Sequence, residues 1–71
     1  MYDVEDISEE YGAHGVQCYS VINNMEFYTV DVRASGYSVS HRDEDNREID
    51  DEQLRNNLIK AVEKYQNEKT K

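Results

Sequence analysis

Cys18 is the only thiol of this chain, and His14 and His41 are its only imidazoles. Nucleophilic or soft-metal chemistry would have to be built from these three residues. A thiolate nucleophile needs a histidine held beside it by a third group in a positively polarised pocket. His14 lies four residues before Cys18 and His41 sits on a separate expected strand, and nothing in the pattern draws them together. The spacing fits no zinc module, and one thiolate leaves the soft-ligand set incomplete. Cys18 alternates with Val16 and Ile22, which reads as packing. The run Asp43-Glu44-Asp45 invites comparison with an EF-hand loop. It fails: Glu48 stands where the sixth position requires glycine, and Leu54 where the twelfth requires a bidentate glutamate. Paired carboxylates for acid–base work need a substrate cleft, and a domain of this size has little volume for one. The 3 glycines make no phosphate-cradling loop. The expectation is a protein without catalytic residues, cofactor or metal, and an enzyme built on Cys18 and a histidine is the weakest of its rival readings.

The elements available to position any site are few. With 71 residues and 8.4 kDa the chain makes one small domain, residues 1–71. At its N-terminus Val4, Ile7 and Tyr11 are spaced three then four apart, the stripe of a short helix that Gly12 would end as a C′ glycine. The alternation of Tyr2 and Val4 fits a strand as well. From Val16 the period changes to two, with Val16, Cys18, Ser20 and Ile22 on one face and Tyr19 and Val21 on the other. Asn23-Asn24 is a two-residue hairpin turn, since asparagine tolerates positive φ. A second strand runs from Met25 to about Ala34. Its apolar face starts on Phe27 and then changes parity to Tyr28, Val30, Val32 and Ala34, which a β-bulge or a strong twist near Tyr28 would reconcile. Ser35-Gly36 turns the chain into a third strand with Tyr37, Val39 and His41. After the polar loop RDEDNREIDDEQ, Leu54, Leu58, Ala61, Val62 and Tyr65 form a helical stripe with Ile59 on its shoulder, over about Asp51 to Asn67. Asp50 and Gln53 fit a capping box, and Asp51 and Arg55 a favourable i,i+4 pair. The fold class is α+β: a three-stranded antiparallel meander covered by a C-terminal helix, with a short N-terminal helix as an option.

One cysteine, an acidic N-terminus unlike a signal peptide and no apolar run near ~18 residues point to a soluble, cytoplasmic protein. Charge is the strongest remaining signal. The chain has 16 acids against 8 bases, a net charge of -8 and a pI near 4.5, which makes it a poor direct binder of nucleic acid or anionic membrane. The excess is lopsided. Residues 1–52 hold 14 acids against three arginines, a net of -11, and residues 53–71 are net +3. Helix-end electrostatics accounts for Asp50, Asp51 and Glu52 at one end of the last helix and for Lys64, Lys69 and Lys71 at the other. It does not account for Asp3, Glu5, Asp6, Glu9 and Glu10, for Glu26 and Asp31, or for Asp43, Glu44, Asp45 and Glu48. A solvated surface that only confers solubility is one reading of these acids.

The other reading is mimicry of a nucleic-acid backbone. Carboxylates two apart on a strand are ~6.8 Å apart, near the spacing of neighbouring phosphates, and Tyr2, Tyr11, Tyr19 and Tyr28 interleaved with the acids would supply amphipathic anchors at the rim. A short, acidic, tyrosine-bearing chain with runs such as VEDISEEY and RDEDNREIDDEQ resembles the phage-encoded DNA-mimic proteins that shut down host DNA-binding proteins. Within that class it most resembles the small inhibitors of the bacterial histone-like protein HU. The resemblance lies in size and charge layout over the whole chain and rests on no motif. It implies a host-cytoplasm location, an HU-like dimer as partner and no direct nucleic-acid or membrane contact. The partner-facing acids would be the eleven just named together with Asp50, Asp51 and Glu52. The basic C-terminal stretch from Lys60 to Lys71 departs from a pure mimic and would sit on the far side or pair with a second copy. The rival from another class is a small adaptor or subunit that docks through its sheet face. A homodimer through an uncovered Tyr28/Val30/Val32 face is a further expectation, because cores below ~80 residues often gain stability by association.

Overall fold

The computed structural model describes residues 2–12, 15–42 and 47–69. The three alternating stretches fold as antiparallel strands Gln17–Asn23 (β2), Glu26–Arg33 (β3) and Gly36–His41 (β4). A further strand, Asp3–Asp6 (β1), lies against β2, so the sheet has four strands in the order β1-β2-β3-β4 where three were expected. Each N-terminal option holds for part of that stretch. Val4 is used in β1, and Ser8–Tyr11 makes a single helical turn (α1). Gly12 follows α1 with φ −72°, so it is no left-handed C′ glycine. Space is what demands glycine there: a Cβ would stand 2.6 Å from the Ser8 carbonyl oxygen, which accepts the Gly12 N–H. The C-terminal helix spans Glu52–Lys69 (α2).

Register decides which face is the core. Tyr19 pairs with Val30, Val21 with Tyr28 and with Val4, and Val30 with Val39. These side chains point to one side of the sheet, where Leu58 and Val62 of α2 meet them; Val21, Val30, Leu58 and Val62 are fully buried. Burying a side chain of this kind is worth about 1.5–3 kcal/mol. The Tyr28/Val30/Val32 face is therefore covered by α2, which removes it as the surface for a second copy. The β2–β3 ladder runs unbroken from Asn23–Glu26 to Gln17–Val32, with no bulge. Phe27 consequently stays on the opposite face, half exposed, in line with Ile22 and Asp3. Cys18, Ser20 and Ile22 share that second face. Cys18 and Ser20 are nevertheless buried, because α1 packs over β2 and Arg42 reaches across to Ser20.

Both hairpin turns lie one residue later or earlier than the sequence suggests. The first is Asn24-Met25, both at positive φ (50° and 65°), and the second is Ala34-Ser35, leaving Gly36 at φ 134° as the first residue of β4. The helix cap also shifts by one. The Asp51 carboxylate, not that of Asp50, accepts the amides of Gln53 (3.0 Å) and Leu54 (3.2 Å). Arg55 does not turn back to Asp51; its guanidinium donates to the Tyr37 carbonyl at 2.9 Å and ties α2 to β4. The polar loop before α2 supplies a core residue that the sequence pattern does not reveal. Ile49 is buried, its amide donates to the Val39 carbonyl, and the His41 amide donates to Arg47. This segment closes the outer edge of β4.

Two outcomes follow for stability, both measured by urea unfolding. Asp51→Ala is expected to cost about 1 kcal/mol as a lost N-cap, and Asp50→Ala less than ~0.5 kcal/mol as an exposed change; the reverse order would place the cap at Asp50. Met25 is 89% exposed and held at positive φ, a conformation that costs an L-residue ~1–2 kcal/mol. Met25→Gly is expected to stabilise by about 0.5–1 kcal/mol after the greater unfolded-state entropy of glycine is subtracted. A destabilising result would contradict the turn geometry.

Candidate functional site

The residues with chemical potential are separated. Cys18 belongs to the face away from α2, whereas His41 lies on the α2 side with its ring 5.6 Å from that of Tyr28. His14 lies outside the described residues. Burial and the neighbouring Asp31 carboxylate push the Cys18 thiol up to about 12 from its ordinary 9.0, the opposite of what activates a nucleophile. Its backbone is tied down as well. The Cys18 amide donates to Ser8 Oγ (2.9 Å), and its carbonyl accepts the Ile7 amide (2.9 Å) and the Ser8 hydroxyl (3.3 Å). Among the described residues no group of three histidine, cysteine or acidic side chains is arranged to hold a metal ion. No helix among them is long and apolar enough to cross a membrane.

The acids sort into distinct places. Asp3 and Glu5 project from β1 on the face away from α2, two residues apart and exposed, so they meet the ~6.8 Å spacing expected of strand carboxylates. Asp6 ends β1 and accepts the Ser8 amide at 2.9 Å. The Ser8 side chain and amide beside it hold its carboxyl below the ordinary value, with a smaller contribution from Lys69. Glu9 and Glu10 lie on α1, exposed. The tight passage from β1 into α1 draws Glu5, Asp6, Glu9 and Glu10 around one shallow groove of about 410 Å³, whose wall includes Ile7, Tyr11 and Arg42.

The other acids do not join this cluster. Asp31 is half-buried in mid-sheet, paired with Cys18 and Ser38, and 3.7 Å from Arg33. Glu26 is at the β2–β3 hairpin and Glu48 bridges to Ser40 along the β4 edge. Asp51 is the cap of α2, with Asp50 before it and Glu52 in its first turn. Asp43, Glu44 and Asp45 lie outside the described residues.

Sequence reasoning missed Arg42; of the four tyrosines it named as anchors, Tyr11 is exposed, Tyr2 is half-buried, and Tyr19 and Tyr28 are buried in the core under α2. Arg42 shares the parity of Ser38 and Ser40, which was the available signal, and so emerges on the face away from α2. There its guanidinium donates to Ser20 Oγ (3.0 Å) and stands 5.5 Å from the centre of the exposed Tyr11 ring. It is a cation inside the acidic groove, and it braces α1 against the sheet. The remaining row of this face, Ser20, Thr29 and Ser40 beside Glu5, is made of hydroxyls. A rim of carboxylates around a hydroxyl-bearing sheet can attract and orient a basic surface; Arg42 shares a groove with Cys18, but burial and Asp31 outweigh its pull on the thiol.

The raised thiol pKa has a sign that can be tested. Below about 9 both folded and unfolded chains keep the thiol neutral, so its contribution to stability is intact. Between 9.0 and about 12 only the unfolded chain ionises, and that contribution is lost as pH rises. Wild type is expected to lose more stability than Cys18→Ala between pH 8 and 10.5 in urea titrations, and parallel losses would contradict the burial of the thiol. The chain matches no family model, and no curated protein or solved structure matches it.

Proposed function

We propose that this protein is an inhibitor that binds a basic DNA-binding protein through its acidic end and blocks that protein's access to DNA. The observation that carries the reading is the convergence of Glu5, Asp6, Glu9 and Glu10 on one groove, with Asp3 beside it on the same strand. Seven acids and no lysine or arginine occur in residues 1–32; Asp6 bonds the Ser8 amide and Asp31 pairs with Arg33, and Asp3, Glu5, Glu9 and Glu10 are exposed. Long-range attraction then steers a basic groove onto this end, and the exposed Tyr11 ring supplies an apolar anchor beside it. Lys60 and Lys64 belong to α2 and flank Tyr2 on the helix side, away from the face that carries Asp3 and Glu5. HU, the partner implied by the resemblance in size and charge, is the first target to test.

A second reading has its own support. Phe27 is 51% and Met25 89% exposed, and together with Ile22 they give the sheet an apolar corner on which an adaptor could dock. Grouped neutralisation separates the two, since single surface charges are worth ~1 kcal/mol or less. Asp3, Glu5, Asp6, Glu9 and Glu10 are replaced together by their amides, with Asp43, Glu44, Asp45 and Glu48 as a second group. In competition with labelled DNA for HU, the first variant is expected to lose at least tenfold in potency while keeping its far-UV circular dichroism. Most of that loss is expected in the association rate. Wild-type potency in both variants would reduce the acidity to a solubility device and favour docking through Phe27.

A further inference from the structure

We infer that the outer edge of β1 accepts an extended peptide strand with basic residues at alternate positions, adding it to the sheet as a fifth strand. The inference rests on the reading of the acidic end as the partner-facing one and states how a partner engages it.

The two sheet edges differ. The edge of β4 is closed by residues 47–49 through the Arg47–His41 and Ile49–Val39 backbone bonds. On the other side, β1 pairs only with β2, and no described segment covers its outer edge. The bond from the Ile7 amide to the Cys18 carbonyl sets the phase of the β1–β2 ladder. In an antiparallel pair, hydrogen-bonded and non-hydrogen-bonded residue pairs alternate. Glu5 and Asp3 therefore bond to β2, and the N–H and C=O groups of Val4 and Asp6 point off the sheet. These four groups are a template for another strand.

Side-chain chemistry then selects the occupant. On the face away from α2, an incoming strand meets Asp3 and Glu5, both exposed. On the α2 side it meets Tyr2, Val4 and Ala61, with Lys64 nearby, and at the end of the strand Asp6 beside Lys69. Basic residues suit the first face and apolar ones the second, which is an alternation of period two. A second copy of β1 is a poor occupant, because antiparallel pairing would set the carboxylates of Asp3 and Glu5 against those of the other copy. The same charges that guard this short edge against self-pairing make it selective for a basic strand.

The test uses the intact protein and a capped hexapeptide of alternating lysine and valine, with amide hydrogen exchange followed by NMR. At peptide concentrations near ten times its dissociation constant, exchange at Val4 and Asp6 is expected to slow about tenfold. The alternating glutamate–valine peptide, and a lysine–valine peptide N-methylated at alternate residues, are expected to have no effect. Asp3→Asn/Glu5→Gln is expected to weaken the lysine–valine peptide at least fivefold. Binding without protection of Val4 and Asp6 overturns the fifth strand and leaves the inhibitor reading to the DNA competition. Equal action of the glutamate peptide, or no protection at ~1 mM peptide, overturns it as well.

Discussion

One helix can cover only one face of a sheet, and among the described residues a single helix, α2, is long enough to do so. Leu58 and Val62 fill the space above Val21 and Val30, and the four are sealed from water. The two aromatic residues Tyr19 and Tyr28 extend this layer, with the Tyr19 and Tyr65 rings meeting edge to face at 5.8 Å. Everything on the other side of the sheet must then be compatible with water or be roofed by something small. The single turn Ser8–Tyr11 and the Arg42 side chain provide that roof over Cys18 and Ser20, and around it lie hydroxyls, carboxylates, Ile22 and the exposed Phe27.

That division explains where charge can act. The α2 side is occupied, and its lysines lie along the helix. Asp3, Glu5, Glu9 and Glu10 are left at the margin of the other face, and Asp6, on the α2 side near Lys69, joins them where β1 turns into α1. Their mutual repulsion is partly offset by Arg42, and Asp6 is held ionised by Ser8. A margin with several unneutralised carboxylates and an uncovered strand edge suits engagement of a basic partner better than it suits catalysis. The one thiol is buried and hard to ionise, and the one described imidazole is on the wrong face to help it.

Much of this was legible in the residues themselves. Leu54, Leu58, Ala61, Val62 and Tyr65 give a stripe that fits no structure but a helix, and period-two alternation identifies β2, β3 and β4. The fourth strand was hidden because β1 is four residues long and contributes one apolar side chain, Val4, so its identity depends on a partner strand fifteen or so residues away. Which face is buried was misjudged for a related reason. Phe27 and Ile22 are as apolar as their neighbours, and only cross-strand register, which stacks Val21 on Tyr28 and Val30 on Val39, chooses between faces. Ile49 escaped notice among polar residues because its burial comes from docking on β4. The acids were visible as a composition, but their convergence on one groove is a product of the β1–α1 turn, and the Arg42–Tyr11 contact a product of strand parity.

The account depends on carboxylates meeting a basic surface, and ionic strength tests that most directly. Binding to purified HU should be measured by calorimetry between 50 and 200 mM salt. Interfaces built on neutralising several charges weaken steeply over this range, as DNA complexes do. The account predicts at least a tenfold rise in Kd. A Kd that stays constant across the range, or no binding even at 50 mM, would contradict it.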